Sequence, residues 1–168
     1  MRFLLLVVKK FFKILSWICV AAIVVFIAVA APLIGGCHPM IVLSGSMEPT
    51  YPVGSVVYYK ACTFEELKAG DPITFKAGES LVTHRITKVN ELSRTVNTKG
   101  DANPSEDPEP VEASRIVGRT LKINIPYLGY LVTFCRKPAC LGAIAAVIII
   151  DYLLDGLDSG QKGKKDEA

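Results

Sequence analysis

Three kinds of side chain in this sequence could together cut an amide bond. The first is the hydroxyl of Ser46, in Ser44-Gly45-Ser46-Met47-Glu48-Pro49. A serine hydroxyl is a weak nucleophile at neutral pH; it needs a base beside it, donors for the developing oxyanion, and access to substrate. Gly45 lets the backbone approach a bound peptide, and Ser44, two residues earlier, lies on the same side as Ser46 if the stretch is extended. The same six residues also read as a plain turn, because Ser and Gly are common turn formers.

The second group is the imidazole of His84, in Leu81-Val82-Thr83-His84-Arg85-Ile86-Thr87. Side chains alternate along a strand, so His84 shares a face with Val82 and Ile86, while Arg85 shares the other with Thr83 and Thr87. A histidine among apolar residues needs a hydrogen-bond partner, and imidazole chemistry suits it to take a serine proton at neutral pH. A satisfied structural histidine is the competing reading. The chain's other histidine, His38, sits beside Pro39 in no patterned neighbourhood and reads as a surface residue.

The third group is a carboxylate, which would hold the histidine tautomer and stabilise the imidazolium. Asp101, in Lys99-Gly100-Asp101, and Asp107, in the stretch Asn103-Pro104-Ser105-Glu106-Asp107-Pro108-Glu109-Pro110, are the candidates. Asp101 reads equally as a turn former bonded to local backbone. Asp107 reads equally as a solvated acid between Glu106 and Glu109. Spacing along the chain does not choose between them.

The elements that must position these groups follow from hydropathy. Arg2, Lys9, Lys10 and Lys13 precede Ile14–Ile34, which carries no charge and is long enough to cross a bilayer as a helix. The flanking cations predict a cytoplasmic N-terminus with the following residues exported. A cleaved signal peptide is the rival reading, since Ala28-Val29-Ala30 has the small-x-small form of a processing site. After it come short β-branched runs broken by Gly, Pro, Asn and Asp: strands are predicted over 40–44, 54–59, 72–75, 80–89, 94–98 and 115–123. Thr63-Phe64-Glu65-Glu66 has the form of a capping box and predicts one helical turn, whereas the proline-rich stretch from Asn103 predicts an exposed loop. A second apolar run, Ala139–Ile150, reaches spanning length only if extended through Asp151 to Leu154. Such a crossing would return Lys162, Lys164 and Lys165 to the cytoplasm; a docked tail helix is the alternative.

With 168 residues, 51% of them hydrophobic, the chain has room for one modest domain plus membrane segments. The net charge of +3 is intermixed rather than striped and lacks interleaved aromatics, which speaks against nucleic acid as a partner. Cys19, Cys37, Cys62, Cys135 and Cys140 have no metal-type pairing with histidines, Gly35-Gly36 and Gly118 form no phosphate loop, and no metal or cofactor is expected.

The order of these motifs resembles the type I signal peptidases, in particular the branch with histidine as base that includes the endoplasmic-reticulum type. The carrying residues are Ser44-Gly45-Ser46-Met47-Glu48-Pro49-Thr50, Gly70-Asp71-Pro72-Ile73, Thr83-His84-Arg85-Ile86, Thr98-Lys99-Gly100-Asp101-Ala102-Asn103 and Val117-Gly118-Arg119. Ala102 departs from the family pattern, which usually has Asn after Gly-Asp. The resemblance implies a membrane-anchored, mainly-β protein: a cytoplasmic segment (1–13), a transmembrane helix (14–34), a compact β catalytic domain of signal-peptidase type (35–136), a second transmembrane helix (137–155) and a polar tail (156–168). It implies a membrane-bound serine endopeptidase that removes signal peptides from exported precursors, the alternative being a catalytically silent homologue that serves as an assembly or binding subunit. Ser46 then matches the nucleophile and His84 the base, where the other large branch places a lysine. Asp107 matches the histidine's partner, Asp101 looks more like structural support, and Ser44 resembles the side-chain oxyanion donor. Ile41, Leu43 and Val82 are expected to wall the substrate pockets. Implied partners are signal peptides, the lipid bilayer and the export machinery.

Overall fold

The structure is a computed structural model that describes residues 2–163. It falls into two units: a sheet domain, Val29–Leu131, and a helical unit formed by the described residues on either side of it.

In the helical unit, helix α1 spans Arg2–Ala30 and helix α3 spans Pro138–Gly163. Helix α1 starts well before the uncharged run because no Gly or Pro interrupts the residues after Met1. It gives way at Pro32 to a 3-10 turn, Ala31–Gly35. In α3, Pro138 occupies the first helical position, where its missing N–H costs nothing. The helix continues past Leu154 to Gly163; Lys164 and Lys165 lie outside the described residues. Lys13 Nζ donates to Asp155 Oδ2 at 2.6 Å and stands 3.6 Å from Asp151 Oδ2, so the basic end of α1 meets the acidic end of α3.

The sheet domain carries seven strands: β1 (Cys37–Ile41), β2 (Val56–Lys60), β3 (Pro72–Ala77), β4 (Ser80–Asn90), β5 (Thr95–Lys99), β6 (Val111–Glu112) and β7 (Ile116–Ile125). All pairings are antiparallel, in the order β1-β2-β7-β3-β4-β5-β6. A short helix, α2 (Leu128–Cys135), follows the last strand. Strand β5 shows the expected alternation, with Val96 and Thr98 buried between more exposed neighbours. Strand β3 is buried from Pro72 through Phe75, and its proline sits at the first position, where a strand tolerates it.

The main core is Leu67, Ile73, Phe75, Ile86, Val96 and Val111; Met47, Tyr51 and Val57 form a second cluster. Full burial of side chains such as Ile73 and Ile86 contributes about 1.5–3 kcal/mol each. That fixes the face of β4 on which His84 stands.

Three local expectations change. The first strand is Cys37–Ile41 rather than 40–44: it is an edge strand, so Pro39 does not interrupt it. Its pairing partner explains the start, since Cys37 lies opposite Lys60 and His38 stacks on Tyr59 with ring centroids 5.3 Å apart. The turn at Phe64–Glu66 is 3-10, and Thr63 makes no side-chain cap bond, so the capping box does not form. Helix α2 and the two-residue strand β6 were not expected from the sequence. All five cysteines are free thiols.

Candidate active site

Ser46 sits in a 3-10 turn, Gly45–Met47, just after the chain leaves the sheet edge. Val42 still exchanges backbone bonds with the β2 side (Val42 N–H to Ser55 O, 3.0 Å; Gly54 N–H to Val42 O, 2.9 Å), but Leu43 and Ser44 do not extend the ladder. Met47, 2% exposed, packs with Tyr51 and Val57 and pins the turn from below. The Ser46 carbonyl accepts the Ala102 N–H at 2.9 Å. Gly100 makes that approach feasible: a Cβ there would lie 2.6 Å from the Ser46 carbonyl oxygen. The position of Ala102 in the motif is thus filled by a backbone donor, which any residue type except proline supplies.

His84 is buried on β4, edge-on to Phe75 at 6.2 Å between centroids. Its Nε2 lies 3.3 Å from Ser46 Oγ and its Nδ1 lies 2.6 Å from Asp107 Oδ2. The Thr98 hydroxyl donates to the same Asp107 oxygen at 2.6 Å, and the Asp107 N–H donates to the Thr98 carbonyl at 2.8 Å. Two donors therefore converge on one carboxylate oxygen, and the proline-rich loop is sewn to β5 beside the histidine. With the Nδ1 proton given to the carboxylate, Nε2 turns its lone pair toward Ser46. Ser44 Oγ is 3.4 Å from Ser46 Oγ, although the stretch is a turn rather than extended.

Asp101 has a different setting. Arg85 grips it with two parallel bonds, Nε to Oδ1 at 2.8 Å and Nη2 to Oδ2 at 2.7 Å, and the Thr50 hydroxyl adds a third at 2.5 Å. The Arg85 hydrogen bonds, opposed by burial and helped by Thr50, hold the Asp101 carboxyl below the usual carboxylate range. The same bonds raise Arg85. Arg85 Nη1 also reaches the Gly70 carbonyl at 2.8 Å, so this network ties the Ser46 loop, the Gly100 turn and β4 together on the face of β4 opposite His84.

A cleft of about 410 Å³ opens beside Ser46. Ile41, Leu43 and Val82 line it, as do Ser44 and Ser46 themselves. Met40, Tyr51, Val57 and Leu81 also contribute walls, and sequence reasoning missed them. For Met40 and Val57 the signal lay in the pairing of β1 with β2, which sets one opposite the other, and no single-strand pattern reveals that. Among the described residues no group of three or more His, Cys, Asp or Glu could hold a metal ion.

No protein-family model matches the chain. Similar proteins do. The chain is 35% identical over 99 residues to signal peptidase I W of Bacillus subtilis (strain 168), covering 56% of this chain and 52% of that protein. It is 28% identical over 128 residues to the signal peptidase complex catalytic subunit SEC11C of Homo sapiens, covering 66% of each. The chain is related to the type I signal peptidases. A fungal relative, the signal peptidase complex catalytic subunit sec11 of Sclerotinia sclerotiorum, is 27% identical over 128 residues and is covered over 74% of its length. The matched region is about half the length of the Bacillus relative. The similar proteins thus include both a bacterial signal peptidase I and catalytic subunits of animal and fungal signal peptidase complexes.

Proposed function

We propose that this chain is a membrane-bound serine endopeptidase of the signal peptidase I type, with Ser46 as nucleophile, His84 as general base and Asp107 as the histidine's partner. The observation that carries the reading is the hydrogen-bonded series Ser46–His84–Asp107, at 3.3 and 2.6 Å. Ser46 Oγ attacks the scissile carbonyl while its proton passes to His84 Nε2. The Ser46 N–H and the Ser44 hydroxyl receive the charge that develops on the carbonyl oxygen. The C–N bond then breaks as His84 protonates the leaving amine, and a water molecule repeats the sequence to release the acyl group. Asp107 keeps Nε2 available and steadies the imidazolium; Asp101 serves the frame through Arg85.

Substrate lies extended as an added strand. Strand β4 has an edge for it: Ser80–Arg85 pairs β3, whereas β5 joins only from Arg85 onward. Small side chains at the first and third positions before the cut enter the cleft beside Ser46. Phe3–Ala30 and Pro138–Gly156 are long and apolar enough to cross a bilayer, by length and composition. The proposed topology puts Lys13, Asp151 and Asp155 at the cytoplasmic boundary and the sheet domain on the extracytoplasmic or lumenal side. Anchoring enzyme and substrate in one plane raises their effective concentration.

The test is cleavage of a defined precursor by the purified protein in detergent, beside Ser46→Ala and His84→Ala. Loss of processing in both folded variants supports the reading. Cleavage retained by Ser46→Ala refutes it, and a wild-type protein that binds precursor without cutting it indicates a silent assembly subunit.

A further inference from the structure

A second cavity, of about 290 Å³, opens on the His84 face of the sheet. Phe75, Val82 and Val111 give it an apolar floor, and Ala77, Glu109 and Arg115 stand around its mouth. It is separate from the cleft beside Ser46, with Val82 alone common to both linings. Asp107 and His84 form its inner end.

The two cavities flank the open edge of β4, the Ser46 cleft taking in Ser80–Thr83 and the second cavity only Val82 and His84 of that strand. Register pairs Val82 with Phe75 and Ser80 with Ala77, which places those four residues with His84 on one face of β3 and β4. Leu81 and Thr83 point to the other face; both line the Ser46 cleft, which also reaches Ser80 and Val82 at the open edge of the strand. A peptide added along the open Ser80–His84 edge must alternate in step with this strand. If its first and third residues before the cut fall into the cleft, the residue between them lies level with Val82 and faces the second cavity.

Resting on the peptidase reading above, we propose that this second cavity binds the side chain of the second residue before the scissile bond, and that it selects a medium-sized, uncharged apolar group. The floor favours burial of such a side chain. A carboxylate there would meet Asp107 and Glu109, while a cation would oppose the imidazolium that forms at His84 during turnover. Arg115 does not relax the first of these exclusions fully, because its Nε is committed to the Lys76 carbonyl at 2.9 Å and holds the guanidinium at the rim.

The experiment compares kcat/KM of the full-length protein in detergent on precursors that differ only in that residue: Leu, Phe, Gly or Asp. Leu is expected to exceed Gly by about tenfold, with Asp lowest. Ala77→Phe, which fills the mouth, should bring the Leu-to-Gly ratio toward one. Glu109 is exposed, so Glu109→Lys should leave the fold intact and raise the Asp substrate relative to Gly by roughly threefold. Cleavage of all four precursors at equal kcat/KM, or ratios unchanged in both variants, overturns the assignment while leaving the peptidase reading standing. Absence of Ser46-dependent cleavage of any precursor overturns both.

Discussion

Replacing Asp107 with Asn tests the hydrolytic reading most sharply, because it changes charge and hydrogen-bond polarity at one atom with almost no change in volume. Asp107 Oδ2 accepts from His84 Nδ1 at 2.6 Å and from Thr98 Oγ1 at 2.6 Å. An amide can meet this pair in two ways. If its oxygen faces His84, the tautomer survives and only the charge is lost; a hydrogen bond to a charged partner is worth about 1.5–3 kcal/mol, or roughly ten- to 150-fold in rate. If its NH₂ faces Nδ1, the proton moves to Nε2, which then points a donor at Ser46, and the loss grows toward about 10⁴. The Asp107 N–H to Thr98 bond belongs to the backbone and stays in either case. The expected result is therefore a fall in kcat of about 10–10⁴, with KM and thermal midpoint close to wild type. Single-turnover cleavage of a precursor at saturating enzyme, beside a melting curve in the same detergent, measures both. A variant that cuts within threefold of wild type would refute Asp107's place in the mechanism.

Asp101→Asn should do the converse, costing about 1–2 kcal/mol of stability through the lost Arg85 fork and little of kcat when assayed below the melting range. The sign of its pH dependence follows from its depressed carboxyl: the stabilisation is complete above the ordinary value of 3.8 and disappears as pH falls through the lower folded value. Wild type should thus lose melting temperature more steeply than Asp101→Asn below about pH 4, and parallel curves would count against the network. Gly100→Ala should cut kcat at least about tenfold, since the added Cβ meets the Ser46 carbonyl at 2.6 Å and that oxygen must shift. Ser44→Ala removes one proposed oxyanion donor and should lower kcat by about 10²–10³ with KM nearly unchanged; an equal rise in KM instead would mark Ser44 as a binding residue only.

Much of the frame was readable because it rests on local pattern. Alternation along 80–89 put His84 with Val82 and Ile86, and those side chains do share the core face. The proline count marked 103–110 as a loop. What the sequence hid depends on pairing between distant segments. Pro39 masked β1, because only its edge location makes a proline harmless there. Leu128–Cys135 mixes Gly129 with Val132 and Thr133, poor helix formers whose helical state is set by context rather than propensity. The two aspartates could not be separated by spacing, since each lies in a turn or loop; the distinction arises when β5 brings Asp107 back across Thr98 while Arg85 captures Asp101. Likewise the Ser44 and Ser46 hydroxyls were expected to neighbour each other on extended chain, and they do so on a 3-10 turn.

The short piece of chain from Gly100 to Asp107 touches both reacting partners, steadying Ser46 through Ala102 and His84 through the carboxylate. The residues up to the end of β4 supply the alcohol and the imidazole, but neither the Ala102 N–H that binds the Ser46 carbonyl nor the Asp107 carboxylate that binds His84 Nδ1. On the proposed reading, a complete site therefore requires the segment that follows β5 as well as the turn that carries Ser46 and the strand that carries His84.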